Sequence, residues 1–270
     1  MAISKAEKTV FNAEIKSVKE EIDQHNSKIK EVTVKKKKMS NIAAYYSLEL
    51  AVVHLDIIDR YMKINDLSLE ILRIKSEKFL NEARKEFYIV LQEIEEVVGH
   101  SVDRSLREND EFLIKIDKLN PKKILTIIDR LHSVYYNIKN KMGEGSKWQW
   151  SFVELMARVA IITKNITPFS DVAKLRDPRT EFFFERKDLM QLCKDSLTEA
   201  AKQYRTKYEM AGKAREDLKR SIELLAALRK IHVLFGEDAE ATKLKNTIDA
   251  AKQALEAEDR EKDKKSEEKK

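Results

Sequence analysis

Residues 42–98 read IAAYYSLELAVVHLDIIDRYMKINDLSLEILRIKSEKFLNEARKEFYIVLQEIEEVV and contain neither Gly nor Pro. Tyr45, Leu48, Val52, Leu55, Ile58 and Met62 recur at steps of three and four, and Leu69, Leu72, Phe79, Ala83, Phe87, Val90 and Ile94 extend the pattern. That is the period of an amphipathic helix rather than of a strand. Continuous helix over the span would reach about 85 Å at 1.5 Å per residue. Asn65 and Asp66 are poor helix formers, so a break is expected there. Gly99 supplies a C-cap.

Upstream, Phe11, Ile15, Val18, Ile22, His25, Ile29 and Val32 alternate spacings of four and three, with charged and polar residues between them. This is a heptad seam, which buries one narrow stripe against another helix. Phe11, Ile15, Val18, Ile22 and Ile29 are its pairing residues, and the partner helix lies either within the chain or in a second copy of it. Lys35, Lys36, Lys37 and Lys38 interrupt the seam, and Ser40 and Asn41 can cap the next helix.

Downstream, Ser105–Lys118 reads as a short helix, and Asn120-Pro121 as a cap opening a helix to about Met142. Gly143-Glu144-Gly145-Ser146 reads as a flexible joint, followed by a helix over Lys147–Asn165. Pro168 and Pro178 bracket an irregular stretch. A long helix then runs from Arg179 to Phe235 with Gly212 as a weak point, and Gly236 stops it. Ala239–Leu255 is a last amphipathic helix, and 256–270 a charged flexible tail. The expected organisation is 1–40, 41–142, 147–255 and that tail, with 1–255 readable as one continuous domain. Ile57-Ile58-Asp59-Arg60 recurs as Ile127-Ile128-Asp129-Arg130, but the flanks differ and no repeat is inferred.

Composition agrees with the pattern. The 270 residues include only 5 Gly and 3 Pro, and 37% are charged, against about 25% in ordinary domains. Few tight turns are available, so the elements must be long. The expected fold is all-α: an elongated bundle of long, partly coiled-coil-like helices with short connecting helices. Net charge is +6, from 53 basic and 47 acidic residues, a mixed surface that disfavours nucleic acid as a partner. A single cysteine, Cys193, excludes an internal disulfide. No secretory signal is read at the N-terminus, and no stretch approaches a bilayer span, Ser151–Thr163 being the most apolar. A cytoplasmic protein is expected.

The chemistry-bearing motifs are missing. Glu-x-x-His pairs and His-Glu-x-x-His are absent, so no metal site is expected. Gly143-Glu144-Gly145-Ser146-Lys147 lacks the spacing of a phosphate-binding loop. Cys193 sits among Leu189, Leu192 and Leu197 as a small buried hydrophobe. No catalytic residue and no cofactor is expected, and the chain is read as a non-enzyme.

Three surfaces remain as binding candidates. Lys35–Lys38 suit an anion such as a lipid headgroup. Trp148 and Trp150 stand two apart on an expected helix, so they cannot share one face, and one is left for a partner. In the stretch 175–186, Arg176, Arg179 and Phe183 are the partner-binding residues, because three consecutive phenylalanines exceed what one seam needs. The expectation is a scaffold or adaptor acting through protein partners. The alternatives are an anionic-membrane module and an oligomeric assembly subunit built through the N-terminal seam.

Overall fold

The computed structural model describes residues 3–267, and their regular structure is helical throughout, with no strand. The chain divides into two compact units. The first runs to Gly99 and resumes for Phe112–Gln149; the second holds His100–Glu111 and the chain from Trp150.

In the first unit, α1 (Lys5–Lys38) begins with a capping box. Ser4 Oγ accepts the Glu7 N–H at 3.1 Å, and Glu7 Oε2 accepts the Ser4 N–H at 2.8 Å. The heptad stripe finds its partner in the same chain: Ile15, Val18 and Ile22 are buried against Ile57 and Ile64 of α2 (Ala43–Leu72), with Phe11 and Ile29 half-buried beside them. The lysine run does not end the helix early. It forms its last turn, where cations are favoured by the unpaired carbonyls.

The expected break at Asn65–Asp66 is absent, and α2 continues to Leu72. Asn65 is wholly buried, and its Oδ1 accepts the Ser76 N–H at 2.9 Å. Ser68 Oγ donates to the Ile74 carbonyl at 2.8 Å. The two side chains staple the turn that Arg73 opens at φ 58°, and α3 (Glu77–Val98) follows. A poor helix former is tolerated inside α2 because its amide satisfies backbone at the next helix. Leu80, Ala83, Phe87, Val90, Leu91, Ile94 and Val98 are buried along α3. Gly99 ends it at φ 76°, as the sequence suggested.

α5 (Pro121–Met142) is capped by Asn120, whose Oδ1 accepts the Lys123 N–H at 2.9 Å. Its Arg130 binds Asp56 at 2.6 Å and Asp59 at 2.9 Å on α2. The two copies of the Ile-Ile-Asp-Arg tetrapeptide therefore meet through the arginine of the second and the aspartate of the first. The segment 40–72 corrects another expectation. Its best 18-residue window has mean hydropathy 1.2, so by length and composition it is apolar enough to cross a bilayer, though half the window is buried within the protein. Packing against α1, α3 and α5 accounts for that apolar character.

In the second unit, Ser105 and Glu108 form a further capping box at the start of α4 (Leu106–Leu113). Most of α6 (Gln149–Ile166) is buried, from Phe152 onward with Glu154 and Arg158 the exceptions. The stretch between the prolines is not wholly irregular, since α7 (Phe169–Lys174) forms there with Phe169 buried. The helix expected from Arg179 to Phe235 is two: α8 (Phe183–Met210) and α9 (Arg215–Leu234). Gly212 at φ 93° and Lys213 at φ 55° turn the chain through the left-handed region. The reversal lets Leu218 of α9 pack on Tyr208 of α8, closed by Ala251 and Leu255 of α10 (Asp238–Glu267). The helix α10 carries on past Leu255 through most of the charged tail, whose Glu, Lys and Arg residues are good helix formers. Residues 268–270 of that tail lie outside the described residues.

Asn65→Leu should destabilise the first unit by about 1–3 kcal/mol, since it removes the acceptor of the half-buried Ser76 N–H and the hydrogen bond that joins α2 to the start of α3. Urea denaturation of the full chain measures this, and a loss under about 0.5 kcal/mol would mean the staple is dispensable.

Candidate functional site

The anion-binding lysines are partly committed. Lys36 binds Glu93 at 2.7 Å and Glu96 at 2.5 Å, with its side chain only 20% exposed. Burial pushes its pKa down, but the two carboxylates outweigh that and hold it above the ordinary lysine value. Lys35 pairs with Glu31 at 2.5 Å along the helix. Lys37 and Lys38 stay exposed, near exposed Val34 and Met39. The run is therefore half a helix joint and half a cationic surface.

Trp148 and Trp150 do not divide into one core and one exposed ring, because α6 starts only at Gln149 and Trp148 sits in the preceding turn. Both are half-buried, and they belong to different units. Trp148 is clamped by Arg84, whose guanidinium carbon lies 4.0 Å from the ring centroid. Arg84 is itself buried, and its hydrogen bonds go to the neutral Asn81 Oδ1, at 3.1 and 3.3 Å, rather than to a carboxylate. Beside Trp148 lies a cleft of about 460 Å³, lined by the turn Gly143–Lys147 and by the start of α3. The turn expected as a loose joint is thus one wall of a concavity. Gly143, at φ 79°, is the residue that needs to be glycine there.

The stretch 175–186 is the most elaborately held turn of the second unit. Arg179 Nε and Nη2 reach both Asp177 oxygens, at 3.0 and 2.7 Å. Thr180 Oγ1 donates to the Asp177 carbonyl at 2.7 Å and accepts from Arg186 Nη2 at 2.9 Å, with Arg186 nearly buried. Phe182 is held at φ 57°, a conformation a bulky residue rarely adopts. Of the three phenylalanines, the one presented to solvent is Phe184, 65% exposed, and not the expected Phe183. Phe183 is half-buried and braces Phe184 edge-on, centroids 5.3 Å apart at 82°. Arg176 is exposed and lies 5.5 Å over Phe235. This brings Leu175 and Arg176 beside the end of α9, where Val233 and Leu234 are exposed.

One cluster was not expected from the sequence. At the end of α6, Lys164 is wholly buried, and its Nζ donates to the Arg104 carbonyl at 3.0 Å and to Asn165 Oδ1 at 3.1 Å. Asn165 Nδ2 donates to the Ser101 carbonyl and Asn109 Nδ2 to the Lys164 carbonyl, each at 3.2 Å. These bonds dock His100–Glu111 onto α6. Burial pushes the Lys164 amine down to about 8 and the Cys193 thiol up to about 12. Cys193 is thus an inert, buried thiol at neutral pH. Among the described residues, no three His, Cys, Asp or Glu side chains converge as a metal site would require. The only sequence hint of the cluster is that Lys164 follows directly on the most apolar window of the chain.

A family profile matches residues 7–259, from the first turns of α1 into α10 and across both units. The chain belongs to the TP0443 family. No curated protein and no solved structure matches it. The family designation carries no chemistry, so a functional reading has to rest on the geometry above.

Lys164 gives a pH signature. Its pKa is about 8 folded against an ordinary 10.5, so between those values the unfolded chain binds more protons and stability rises with pH. Wild type should gain on Lys164→Met by up to about 3 kcal/mol between pH 7.5 and pH 10.5. Urea titrations at several pH values measure the difference, and a constant offset would mean the amine is solvated.

Proposed function

We propose that this protein is a non-enzymatic helical scaffold or adaptor that docks a partner protein through the turn 175–186. The observation that carries the reading is Phe184: a large aromatic that is mostly exposed and packs edge-on against half-buried Phe183. Immobilising a free side chain costs a binder about 0.5–1.5 kcal/mol, and a ring already braced by Phe183 avoids much of that cost. Arg176 and Arg179 supply polar contacts at the rim, the combination of aromatic centre and arginine surround found at binding hot spots. The partner would offer an apolar pocket for the ring and acceptors for the guanidinium groups.

The rival readings have weaker support. An anionic-membrane module would rely on Lys37 and Lys38 flanked by Val34 and Met39, since Lys36 is engaged by glutamates. An assembly subunit joined through α1 would need the seam residues free, and they lie against α2.

Affinity capture from native cells with the full-length tagged chain, followed by mass spectrometry, tests the proposal. Wild type should retain a stoichiometric protein that Phe184→Asp loses by at least about tenfold, with thermal stability unchanged because the ring is exposed. Equal recovery with the variant would remove the turn from the binding site. Capture of anionic lipid in place of protein would favour the membrane module.

A further inference from the structure

The cleft beside Trp148 is independent of the docking turn and combines features the scaffold role does not use. Half-buried Trp148 and the edge of Met142 give it an apolar side, with fully covered Leu80 packed beneath. Its rim is cationic. Lys75 and Lys147 both line it, and Lys75 Nζ is held in place by donating to the Met142 carbonyl at 2.6 Å, which leaves its other hydrogens available. Ser146 Oγ accepts the Trp148 N–H at 3.2 Å, so its own hydroxyl hydrogen is free to donate. α3 starts at this cleft without a side-chain cap on its first-turn N–H groups. Behind the indole, buried Arg84 contributes a further positive charge without a carboxylate among its hydrogen-bond acceptors. The volume, about 460 Å³, lies in the range of about 300–1,000 Å³ typical of small-molecule sites.

We propose that this cleft binds a small phosphate monoester carrying a flat apolar ring. The phosphate head sits between Lys75, Lys147 and the Ser146 hydroxyl, and the ring lies against Trp148 and the edge of Met142. Donors on three separate side chains lining one cleft suit the three acceptor oxygens of a phosphate better than the two of a carboxylate. Glu77 is the one acid lining the cleft, and its repulsion weakens any anion there and disfavours a ligand with a second anionic group. The Gly143–Lys147 turn lacks the spacing that wraps a polyphosphate, which also limits the site to a monoester.

The two tryptophans make the site observable. In a Trp150→Phe background, Trp148 is the one tryptophan left, and excitation at the red edge of the indole band reads it apart from the tyrosines. Titration with phenyl phosphate should change that emission saturably below about 10 mM, with inorganic phosphate and benzoate each weaker by about tenfold. Lys75→Ala with Lys147→Ala should weaken phenyl phosphate by about tenfold or more, whereas Glu77→Gln should tighten it several-fold. Opposite responses to the two charge changes are not expected of residues that only support the fold. Calorimetry on the unsubstituted chain gives the same ranking if Trp150→Phe fails to fold. No saturable signal by either method, benzoate as tight as phenyl phosphate, or indifference to the lysine changes would overturn the assignment.

Discussion

The first unit depends on the covering of α2. Ser40–Leu72 is apolar enough to suit a bilayer, and Leu50, Ala51, Val53, Leu55, Ile57, Ile58 and Ile64 along it are almost wholly buried. Uncovered, those side chains would leave a long apolar face that soluble proteins rarely tolerate. The helix α1 presents only a thin stripe and could not hold its conformation alone. Each helix therefore supplies what the other lacks. Arg130 on α5 and Lys36 on α1 then fix directions by pairing with Asp56, Asp59, Glu93 and Glu96. These ion pairs orient more than they stabilise, because partly exposed pairs are worth about 1 kcal/mol or less.

Where the chain changes direction, buried polar side chains make the joint. Asn65 takes the first free N–H before α3, and Lys164, Asn165 and Asn109 fasten His100–Glu111 to the end of α6. Burying an amide or an amine without partners is costly, so such residues sit where most of their bonds are met, although Asn109 Oδ1 is left without one. The cost falls on any arrangement that separates the partners. That makes these joints selective for one chain path, which general apolar packing would not be.

The candidate binding features are built on the same logic of held geometry. The Phe184 turn is braced by Asp177, Arg179, Thr180 and Arg186, and the Trp148 cleft by Arg84 and Lys75. At Trp148 a charged side chain lies directly against the aromatic ring, whereas at Phe184 the polar bonds hold the turn before it and the ring rests on Phe183. The two belong to different units and draw on different chemistry, one presenting a ring outward and the other a cationic hollow.

Much of the fold was legible because helices are local. Spacing in 42–98 and in the stripe from Phe11 to Val32, the Asn120-Pro121 cap and the glycines at 99 and 236 depend on residues within a few turns of each other, so the sequence by itself determined an all-α chain and most helix ends. The failures were all tertiary. Asn65 looked like a breaker because its acceptor role involves Ser76, eleven residues on. Gly212 looked like a mild weak point because the reversal there is favoured only by Leu218 returning onto Tyr208. Phe183 and Phe184 could not be told apart, since which ring faces outward depends on a backbone held at φ 57° by residues flanking it. The Lys164 cluster and the Trp148 cleft join side chains from about 60–70 positions apart, and no periodicity records such a meeting. Sequence determined what each segment is; the burial of polar groups and the direction of each turn, which depend on partners distant along the chain, were decided by the tertiary structure alone.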